Sequence, residues 1–237
     1  MAYNTTQGIV LRRVDYREND RILSLLSPLR GRIDVTARGA RKVKSPLLSA
    51  CELFTMGEYV TYQGKGHETL TAFTLGDSFF PLRDDVTRLS HGAVMLAAAE
   101  ALAQKEEPAE HLFILLARSL SRLAYGEYDN NAVTAAFLLH ISTIEGFKPR
   151  LNHCVSCGKI MGGESGFLDV EMGGIRCGLC KGGAPGTMYV TQGQLFWLRD
   201  VLVRGIDKTP PIDTPPLDPL LSYVQHHIDR KLPKIIR

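Results

Sequence analysis

Two short cysteine motifs lie late in the chain, Cys154-Val155-Ser156-Cys157 and Cys177-Gly178-Leu179-Cys180, with nineteen residues (158–176) between them. A Cys-x-x-Cys turn aims two thiolates at one point, and a hairpin of this length returns the second turn to complete a tetrahedron. This pattern is typical of a structural zinc site. Four sulfur ligands leave no coordination position open for water, so the predicted Zn²⁺ stabilises the fold and does not act in catalysis.

The segment around these cysteines, residues 151–190, is rich in glycine and poor in large apolar side chains. It cannot bury a useful core by itself, so metal binding would supply its folding free energy. We predict a zinc finger here, with His153 as a bystander. Three alternatives stay open: four free thiols in a loop, a member of a metal-binding family that has lost its metal, and a redox dithiol, although no thioredoxin-like βαβ pattern surrounds the cysteines.

The N-terminal residues 1–81 read as a small β-barrel. The predicted strands are rich in β-branched and aromatic residues and cover Gly8–Val14, Arg21–Leu26, Gly31–Arg38, Glu52–Gln63 and Leu70–Phe80. Five strands with one long basic connection are compatible with a Greek-key barrel of the oligonucleotide-binding (OB) type. An SH3-like barrel fits the same pattern, and periodicity does not separate the two.

Residues 82–150 read as a helical domain that packs as a bundle, and 191–237 as helices that complete it. The predicted helices are Val94–Gln104, His111–Ala124, Asn131–Ile144, Leu195–Leu202 and Leu220–Leu232. Thr191 and Gln194 form a capping box before the fourth helix, and Asp218-Pro219 offers an N-cap and an N1 proline before the fifth. The prediction is therefore an α+β multidomain chain with the zinc finger inserted in its C-terminal helical region.

Charge is unevenly distributed along the chain. Residues 1–50 hold ten Lys and Arg against four acids, or +6, whereas residues 83–150 hold seven against nine, or −2. This asymmetry indicates that the first segment faces a polyanion. The alternative is a solvated surface whose charge is locally uneven.

The densest basic run is Ala37-Arg38-Gly39-Ala40-Arg41-Lys42-Val43-Lys44-Ser45, in a connection between predicted strands. Its cations, Arg38, Arg41, Lys42 and Lys44, are candidate contacts to successive phosphates, and Arg13 and Arg17 are further candidates for DNA contact. Aromatic residues are interleaved with it, and on a barrel face such rings can stack bases. We expect one or two to do so, since most belong to the core; the candidates are Tyr16, Phe54, Tyr59, Tyr62 and Phe73.

Signatures of catalysis are missing from the sequence. It contains no GxxxxGK[ST], HExxH or GxSxG motif, so we predict a protein that is not an enzyme. No apolar run is long enough to span a bilayer, and the N-terminus lacks the features of a signal peptide. We therefore expect a cytoplasmic protein without a membrane partner, in which Cys51 is a small buried hydrophobe.

The order of these features resembles the RecO family of bacterial recombination mediators. The resemblance rests on the cluster Tyr16-Arg17-Glu18-Asn19-Asp20-Arg21, the basic run described above, and Gly146-Phe147-Lys148-Pro149-Arg150-Leu151 before the first cysteine motif. It covers nearly the whole chain. It implies an OB barrel that binds DNA through Arg38, Arg41, Lys42 and Lys44, and a zinc ion held by Cys154, Cys157, Cys177 and Cys180.

The same resemblance implies partners and a location. Family members bind single- and double-stranded DNA, anneal complementary strands, and work with RecR and sometimes RecF to help RecA replace single-stranded DNA-binding protein on gapped DNA. We expect a nucleoid-associated protein. The acidic tail of single-stranded DNA-binding protein is placed, from charge and spacing alone, on the helical domain beside Arg118 and Arg122.

Three other functions remain open at this level. An RNA-binding zinc-ribbon protein of translation or transcription would show the same barrel and cations, because phosphate contacts do not read the sugar or the base. A non-catalytic assembly scaffold would use the zinc hairpin and helices as docking surfaces. A hydrolase or nuclease is the third, although no paired carboxylates recommend it.

Overall fold

The computed structural model describes residues 2–64, 68–180 and 186–236. Its first part is a closed five-stranded barrel in the order β1-β2-β3-β5-β4. The strands are β1 (Ala2–Tyr16), β2 (Asp20–Ser27), β3 (Gly31–Ala37), β4 (Met56–Gln63) and β5 (Glu68–Asp77). Among the strand pairs in the described residues, β3 and β5 are the one parallel pair, through Val35–Glu68 and Thr36–Thr69. This Greek-key order confirms the OB-type prediction over the SH3-like alternative.

The barrel strands bury side chains on both faces. Val10 of β1 points into the barrel, with Leu23, Leu25, Ile33 and Val35. Its neighbours Ile9 and Leu11 point outward and join the apolar cluster of the helices. Successive side chains of a strand face opposite sides, so one strand serves two cores. Barrel and helices are therefore packed against each other, and the predicted domain boundaries at residues 81, 150 and 190 stay predictions.

In the residues described after the barrel there are six α-helices: α1 (Pro81–Asp84), α2 (Val86–Leu102), α3 (Glu110–Tyr125), α4 (Asn130–Ile144), α5 (Gln192–Arg204) and α6 (Leu217–His227). The helix α3 is amphipathic as predicted and buries Leu112, Leu115, Leu116, Ser119 and Leu123. The helix α4 differs, because it is buried along nearly its whole length from Ala132 to Ser142. It forms the centre of the bundle, with α2, α3, α5 and α6 packed around it.

Helix ends follow from local hydrogen bonding. The Asp85 carboxylate accepts hydrogen bonds from the Thr87 and Arg88 amides and begins α2. The Thr191–Gln194 capping box is confirmed at α5. The α6 prediction was wrong at both ends, because the helix begins at Leu217 after Pro216 and ends at His227.

The cysteine-rich region lies between α4 and α5. It contains a three-stranded sheet in the order β7-β6-β8, built from β6 (Gly166–Asp169), β7 (Gly174–Arg176) and β8 (Thr187–Val190). Residues 181–185 of the predicted zinc finger lie outside the described residues. Among the helices described, none has the length and hydropathy needed to cross a bilayer.

Candidate metal and nucleic-acid sites

Four thiols converge in the loop region beside β7. The sulfurs of Cys154, Cys157, Cys177 and Cys180 all lie within 4.8 Å of one another, and those of Cys157 and Cys177 are 3.9 Å apart. A tetrahedron with Zn–S bonds of about 2.3 Å separates its sulfurs by about 3.8 Å. The cluster therefore fits a tetrahedral ion and can hold a metal, as the sequence predicts.

Backbone hydrogen bonds shape both cysteine turns. In the first, the Gly158 amide donates to the Cys154 carbonyl at 2.9 Å, with Gly158 at a positive φ of 75°. In the second, the Cys180 amide donates to the Cys177 carbonyl at 3.1 Å. The turns meet where the Cys177 amide donates to the Cys154 sulfur at 3.3 Å. Such N–H···S bonds stabilise thiolates, which are the form that binds a metal.

Two of the thiols, Cys154 and Cys180, differ in how readily they ionise. Burial opposes ionisation of Cys154, but hydrogen bonds from the amides of Cys177, Cys157 and Ser156 outweigh it and lower the pKa of this thiol to about 6. Hydrogen bonds with Cys157 and Cys177 raise the pKa of Cys180 to about 12. Of these two thiols, Cys154 therefore ionises more readily than Cys180, and metal binding requires both to lose their protons.

An ion pair braces the second cysteine turn. Asp169 of β6 is 1% exposed, and its carboxylate lies 2.5 Å from the Arg176 Nε on β7. The same arginine donates through Nη1 to the Cys180 carbonyl at 3.3 Å. Arg176 thus ties the sheet to the turn that carries two ligands. The sequence predicted a hairpin between the two cysteine motifs but did not show that the Arg176 side chain reaches back to the second turn.

The predicted basic run forms a turn after β3 that is held against the β1–β2 turn. The Gly39 amide donates to the Asp20 carboxylate at 2.8 Å, and the Arg41 amide donates to the Asn19 carbonyl at 3.0 Å. Gly39 has a φ of +65°, which L side chains rarely adopt. This docking places Arg38 and Arg17 on the same end of the barrel, where both line one cleft.

The predicted DNA-contact cations divide into two groups. Arg38, Lys42 and Lys44 are exposed, and no ion pair involves them in the described part of the chain; the Arg17 guanidinium lies 5.1 Å from the centre of the Tyr16 ring. Arg13 and Arg41 are instead engaged within the protein. Arg13 pairs with Glu52, and Arg41 lies 3.4 Å from the Asp15 carboxylate and donates to the Glu18 carbonyl at 3.1 Å.

A cleft of about 430 Å³ opens between the β1–β2 turn, the end of β3, and strands β4 and β5. Its lining includes Tyr16, Arg17, Thr36, Arg38, Tyr62 and Thr69. OB barrels bind oligonucleotides on the face of strands 2 and 3, flanked by the loop that joins strands 1 and 2 and the loop that joins strands 4 and 5. The cleft occupies this position and combines cations, hydroxyls and two tyrosine rings with one carboxylate, that of Asp20, which already accepts the Gly39 amide.

The aromatic candidates are mostly core residues, as expected. Phe54 and Tyr59 are fully buried, and the centre of the Phe73 ring lies 4.8 Å from the centre of the Tyr59 ring. Tyr16 and Tyr62 line the cleft, and Tyr16 is 41% exposed. These two rings are the members of the predicted set available for stacking.

Several of the cations in residues 1–50 form ion pairs or hydrogen bonds within the molecule. Arg30 pairs with Glu68 at 2.6 Å and with Glu106 at 2.9 Å, while Arg32 donates to the Glu100 carbonyl at 3.1 Å. Arg12 also pairs with Glu100. These cations fasten the barrel to the α2–α3 region. The net charge of the segment therefore overstates what is free to meet a polyanion.

The two cations predicted to bind a partner's acidic tail share one internal partner. Arg118 of α3 forms an ion pair with the Asp207 carboxylate, and Arg122 donates to the Asp207 carbonyl at 2.6 Å. The Arg122 guanidinium also lies 3.7 Å from the centre of the Tyr128 ring. Their role in partner binding stays a prediction, and an incoming acidic peptide would have to displace Asp207.

Cys51 is fully buried, and burial raises the pKa of its thiol to about 11, which confirms the prediction of a small structural hydrophobe. Within residues 2–64, 68–180 and 186–236, the four clustered cysteines are the one group of three or more His, Cys, Asp or Glu side chains placed to share a metal ion.

An OB barrel whose cleft is lined by Arg17 and Arg38, joined to a helical bundle and to four cysteines that can hold a metal, is an architecture typical of nucleic-acid-binding proteins. Comparison with known proteins identifies the family within this class. The family model "Recombination protein O N terminal" matches residues 1–79, and "Recombination protein O C terminal" matches residues 83–237. The chain belongs to the RecO family of DNA repair proteins.

Individual relatives agree with this assignment. The chain is 34% identical over 177 residues to the DNA repair protein RecO of Alkaliphilus metalliredigens, which covers 75% of this chain and 72% of the relative. It is 30% identical over 233 residues to that of Anaeromyxobacter sp. strain K, with 95% and 91% covered. A third relative, from Acetivibrio thermocellus, is 28% identical over 193 residues, with 81% and 76% covered.

Proposed function

We propose that this chain is a recombination mediator that binds single- and double-stranded DNA and anneals complementary strands. With RecR, and in some settings RecF, it helps RecA replace single-stranded DNA-binding protein on gapped DNA. This role belongs to the nucleoid in the cytoplasm. The proposal extends the family's role in DNA repair, and membership over both halves of the chain supports it.

The observation that carries the DNA-binding part is a set of cations in and beside the barrel cleft that form no ion pair with any residue the structure describes. Arg17 and Arg38 line the cleft beside Tyr16 and Tyr62, and Lys42 and Lys44 extend from the adjoining turn. Cations that already have protein carboxylates gain little from a phosphate, because one partner replaces another. We therefore rank Arg17, Arg38, Lys42 and Lys44 above Arg13 and Arg41 as DNA contacts.

The proposed mechanism requires no bond-making residue. Annealing is opposed by the repulsion between two phosphate backbones, and a protein that neutralises both strands lowers that barrier. Rings at Tyr16 and Tyr62 would hold bases of one strand by stacking and leave their pairing edges accessible. On this account the protein is not an enzyme.

We propose Zn²⁺ as the metal of the four-cysteine site. Four thiolates in tetrahedral array are the donor set that Zn²⁺ prefers in structural sites. Cys154, Cys157, Cys177 and Cys180 would hold it, and the ion would supply cross-linking of the 151–190 segment. Arg176 orients the second turn through the Cys180 carbonyl.

The proposed DNA site is tested with two double variants, each of which reverses the charge of two lysines. Lys42→Glu with Lys44→Glu changes two exposed lysines beside the cleft, and Lys231→Glu with Lys234→Glu changes two exposed lysines far along the chain by the same total charge. In a salt titration of single-stranded DNA binding, the first pair should lower the log–log slope by about 1.5, since each lost phosphate contact removes about 0.7 to 0.9.

Equal slopes for the two double variants would contradict the assignment of the site. Competition between DNA and RNA strands of matched sequence addresses the alternative of an RNA-binding protein, and a preference for RNA would favour it. Retained partner binding with no polynucleotide binding at low salt would favour the scaffold.

A further inference from the structure

The basic turn after β3 carries the exposed cations Arg38, Lys42 and Lys44 in a stretch without regular secondary structure. Such a stretch normally samples many conformations, and ordering it on a ligand costs conformational entropy. In this protein the turn is already fixed. The Ala40 side chain is fully buried in the barrel core, and the Lys42 amide donates to the Gly39 carbonyl at 3.1 Å.

Asp20, the first residue of β2, holds this turn at the cleft. Its Oδ1 accepts a hydrogen bond from the Gly39 amide at 2.8 Å. Hydrogen bonds to an ionised carboxylate are stronger than those between neutral groups. The bond therefore ties the basic turn firmly to the beginning of β2, next to the cation Arg38.

The same carboxylate is unexpected in a site for phosphates. Asp20 lines the cleft together with Arg17 and Arg38, and it forms no ion pair with any residue the structure describes. Like charges repel, so an anion at this position weakens the attraction of the cleft for a polyanion. Electrostatic attraction alone gives no reason for an acid here, whereas a hydrogen bond that fixes the neighbouring cations does.

Arg41 holds the other side of the turn. Its amide donates to the Asn19 carbonyl at 3.0 Å. Its Nη1 donates to the Glu18 carbonyl at 3.1 Å and to the Arg17 carbonyl at 3.4 Å, and its Nη2 lies 3.4 Å from the Asp15 carboxylate. Arg41 is not among the residues that line the cleft. Its contacts fasten the basic turn to the β1–β2 turn.

We propose that Asp20 is a positioning residue for the DNA site, and that it clamps the basic turn to the β1–β2 turn. With Arg41 as the second point of this clamp, Arg38, Lys42 and Lys44 are arranged beside the cleft before DNA arrives. Cations arranged in advance bind more tightly than mobile ones, because the entropy of ordering is lost during folding and not during binding. The inference rests on the proposed DNA site and adds the residue that positions its cations.

Two substitutions at Asp20 separate positioning from charge. Asp20→Ala and Asp20→Asn both remove the negative charge from the cleft, but asparagine keeps an oxygen that can accept the Gly39 amide. Asp20→Ala should bind single-stranded DNA about tenfold more weakly than the parent at every salt concentration, with the log–log slope unchanged because all cations remain. Asp20→Asn should bind at least as tightly as the parent.

The matched control is Glu58→Ala, which removes an exposed acid of β4 outside the lining of the cleft. It changes the net charge by the same amount and should bind DNA no more weakly than the parent. Binding by Asp20→Ala that equals or exceeds that of the parent, as a simple charge effect predicts, would overturn the proposal. Equal weakening in Asp20→Ala and Asp20→Asn would overturn it as well.

Hydrogen–deuterium exchange tests the clamp in the absence of DNA. Peptides that cover residues 38–44 should exchange slowly in the parent and in Asp20→Asn but about tenfold faster in Asp20→Ala, while peptides of β2 and β3 keep the parent rates. Exchange of residues 38–44 in the parent at the rate of an unfolded peptide would contradict the clamp, even if Asp20→Ala did not fold.

Failure of the clamp is distinguishable from failure of the DNA site. Equal salt slopes for the parent and for the double variant Lys42→Glu with Lys44→Glu would show that the DNA site itself is wrong. The positioning role of Asp20 would then be wrong too, whatever the exchange rates. A lower slope in the double variant, together with unchanged DNA affinity in Asp20→Ala, would refute the clamp alone.

Discussion

The Arg12 guanidinium on β1 lies 2.7 Å from the Glu100 carboxylate on α2, and this contact fastens the barrel to the helices. Glu100 is 7% exposed. Its second oxygen lies 3.1 Å from Arg230, in the segment after α6, and its carbonyl accepts a hydrogen bond from Arg32 of β3. Three distant parts of the chain therefore meet at one buried acid.

Replacing Glu100 by glutamine should loosen this junction. The amide keeps the shape but leaves Arg12 and Arg230 without a counter-charge, so we expect a loss of about 2 kcal/mol in the free energy of unfolding. Urea unfolding followed by circular dichroism measures it. Glu107→Gln, an exposed acid nearby, should stay within about 0.5 kcal/mol of the parent. Equal stability of the two variants would contradict the role assigned to Glu100.

The Arg30–Glu68 pair predicts a pH dependence. Burial raises the pKa of Glu68, but hydrogen bonds from Arg30 and Thr61 outweigh it and bring the pKa below the usual 4.5. A carboxyl whose pKa is lowered by folding contributes stability above its unfolded pKa and loses it as pH falls through the folded value. Glu68→Gln should therefore cost about 2 kcal/mol at pH 7.

That cost should shrink steadily as pH falls below about 4, because the parent then also loses its carboxylate. Urea midpoints at pH 7 and pH 3 provide the comparison. Glu58→Gln changes an exposed acid on the neighbouring strand and should show little effect at either pH. A Glu68→Gln penalty that is independent of pH would show that the ion pair is not its cause.

Stacking in the barrel cleft can be separated from charge. Tyr16→Ala removes a ring without removing a cation, so single-stranded DNA affinity should fall by about 1 to 3 kcal/mol while the salt slope stays constant. Tyr189→Ala, which removes a ring that is 56% exposed on β8, serves as the control. Unchanged affinity in Tyr16→Ala would exclude this ring from the interface.

Metal loss should unfold one region and spare another. Cys157→Ser removes an exposed ligand and should reduce bound zinc from about one ion per chain to a small fraction. Limited proteolysis should then cut within 151–190 while the barrel survives. Cys51→Ala should keep its zinc, and a Cys157→Ser variant with full zinc content would refute the four-cysteine assignment.

Local patterns predicted much of the fold. Five apolar runs predicted the five barrel strands. The capping box of Thr191 and Gln194 predicted the start of α5, and the 3–4 spacing of leucines predicted α3. The order of the strands in the barrel could not be read from local patterns. It depends on the parallel pairing of β3 with β5, which joins Val35 to Glu68 across a long stretch of sequence. The end of α6 also depended on context: after His227 the chain leaves the helix, and Leu232 donates its amide to the Gln225 side chain.

The functional sites were also only partly predictable, because contacts between distant segments cannot be read from the sequence. The cysteines were identifiable because ligand spacing along the chain encodes the metal site. The basic cluster was only partly readable, since Glu52 engages Arg13 and Asp15 lies beside Arg41 through contacts between separate segments. The sequence gives the number of charged side chains, whereas the fold determines which of them already form ion pairs within the protein.

The central claim is that this protein brings complementary strands together without covalent chemistry. The direct measurement is annealing of complementary oligonucleotides, bare and coated with single-stranded DNA-binding protein, in the absence of ATP. We predict faster annealing on both substrates, lost when Lys42 and Lys44 are replaced by glutamate and retained when Lys231 and Lys234 are. Annealing at the uncatalysed rate by the parent protein, or cleavage of either strand, would contradict the account.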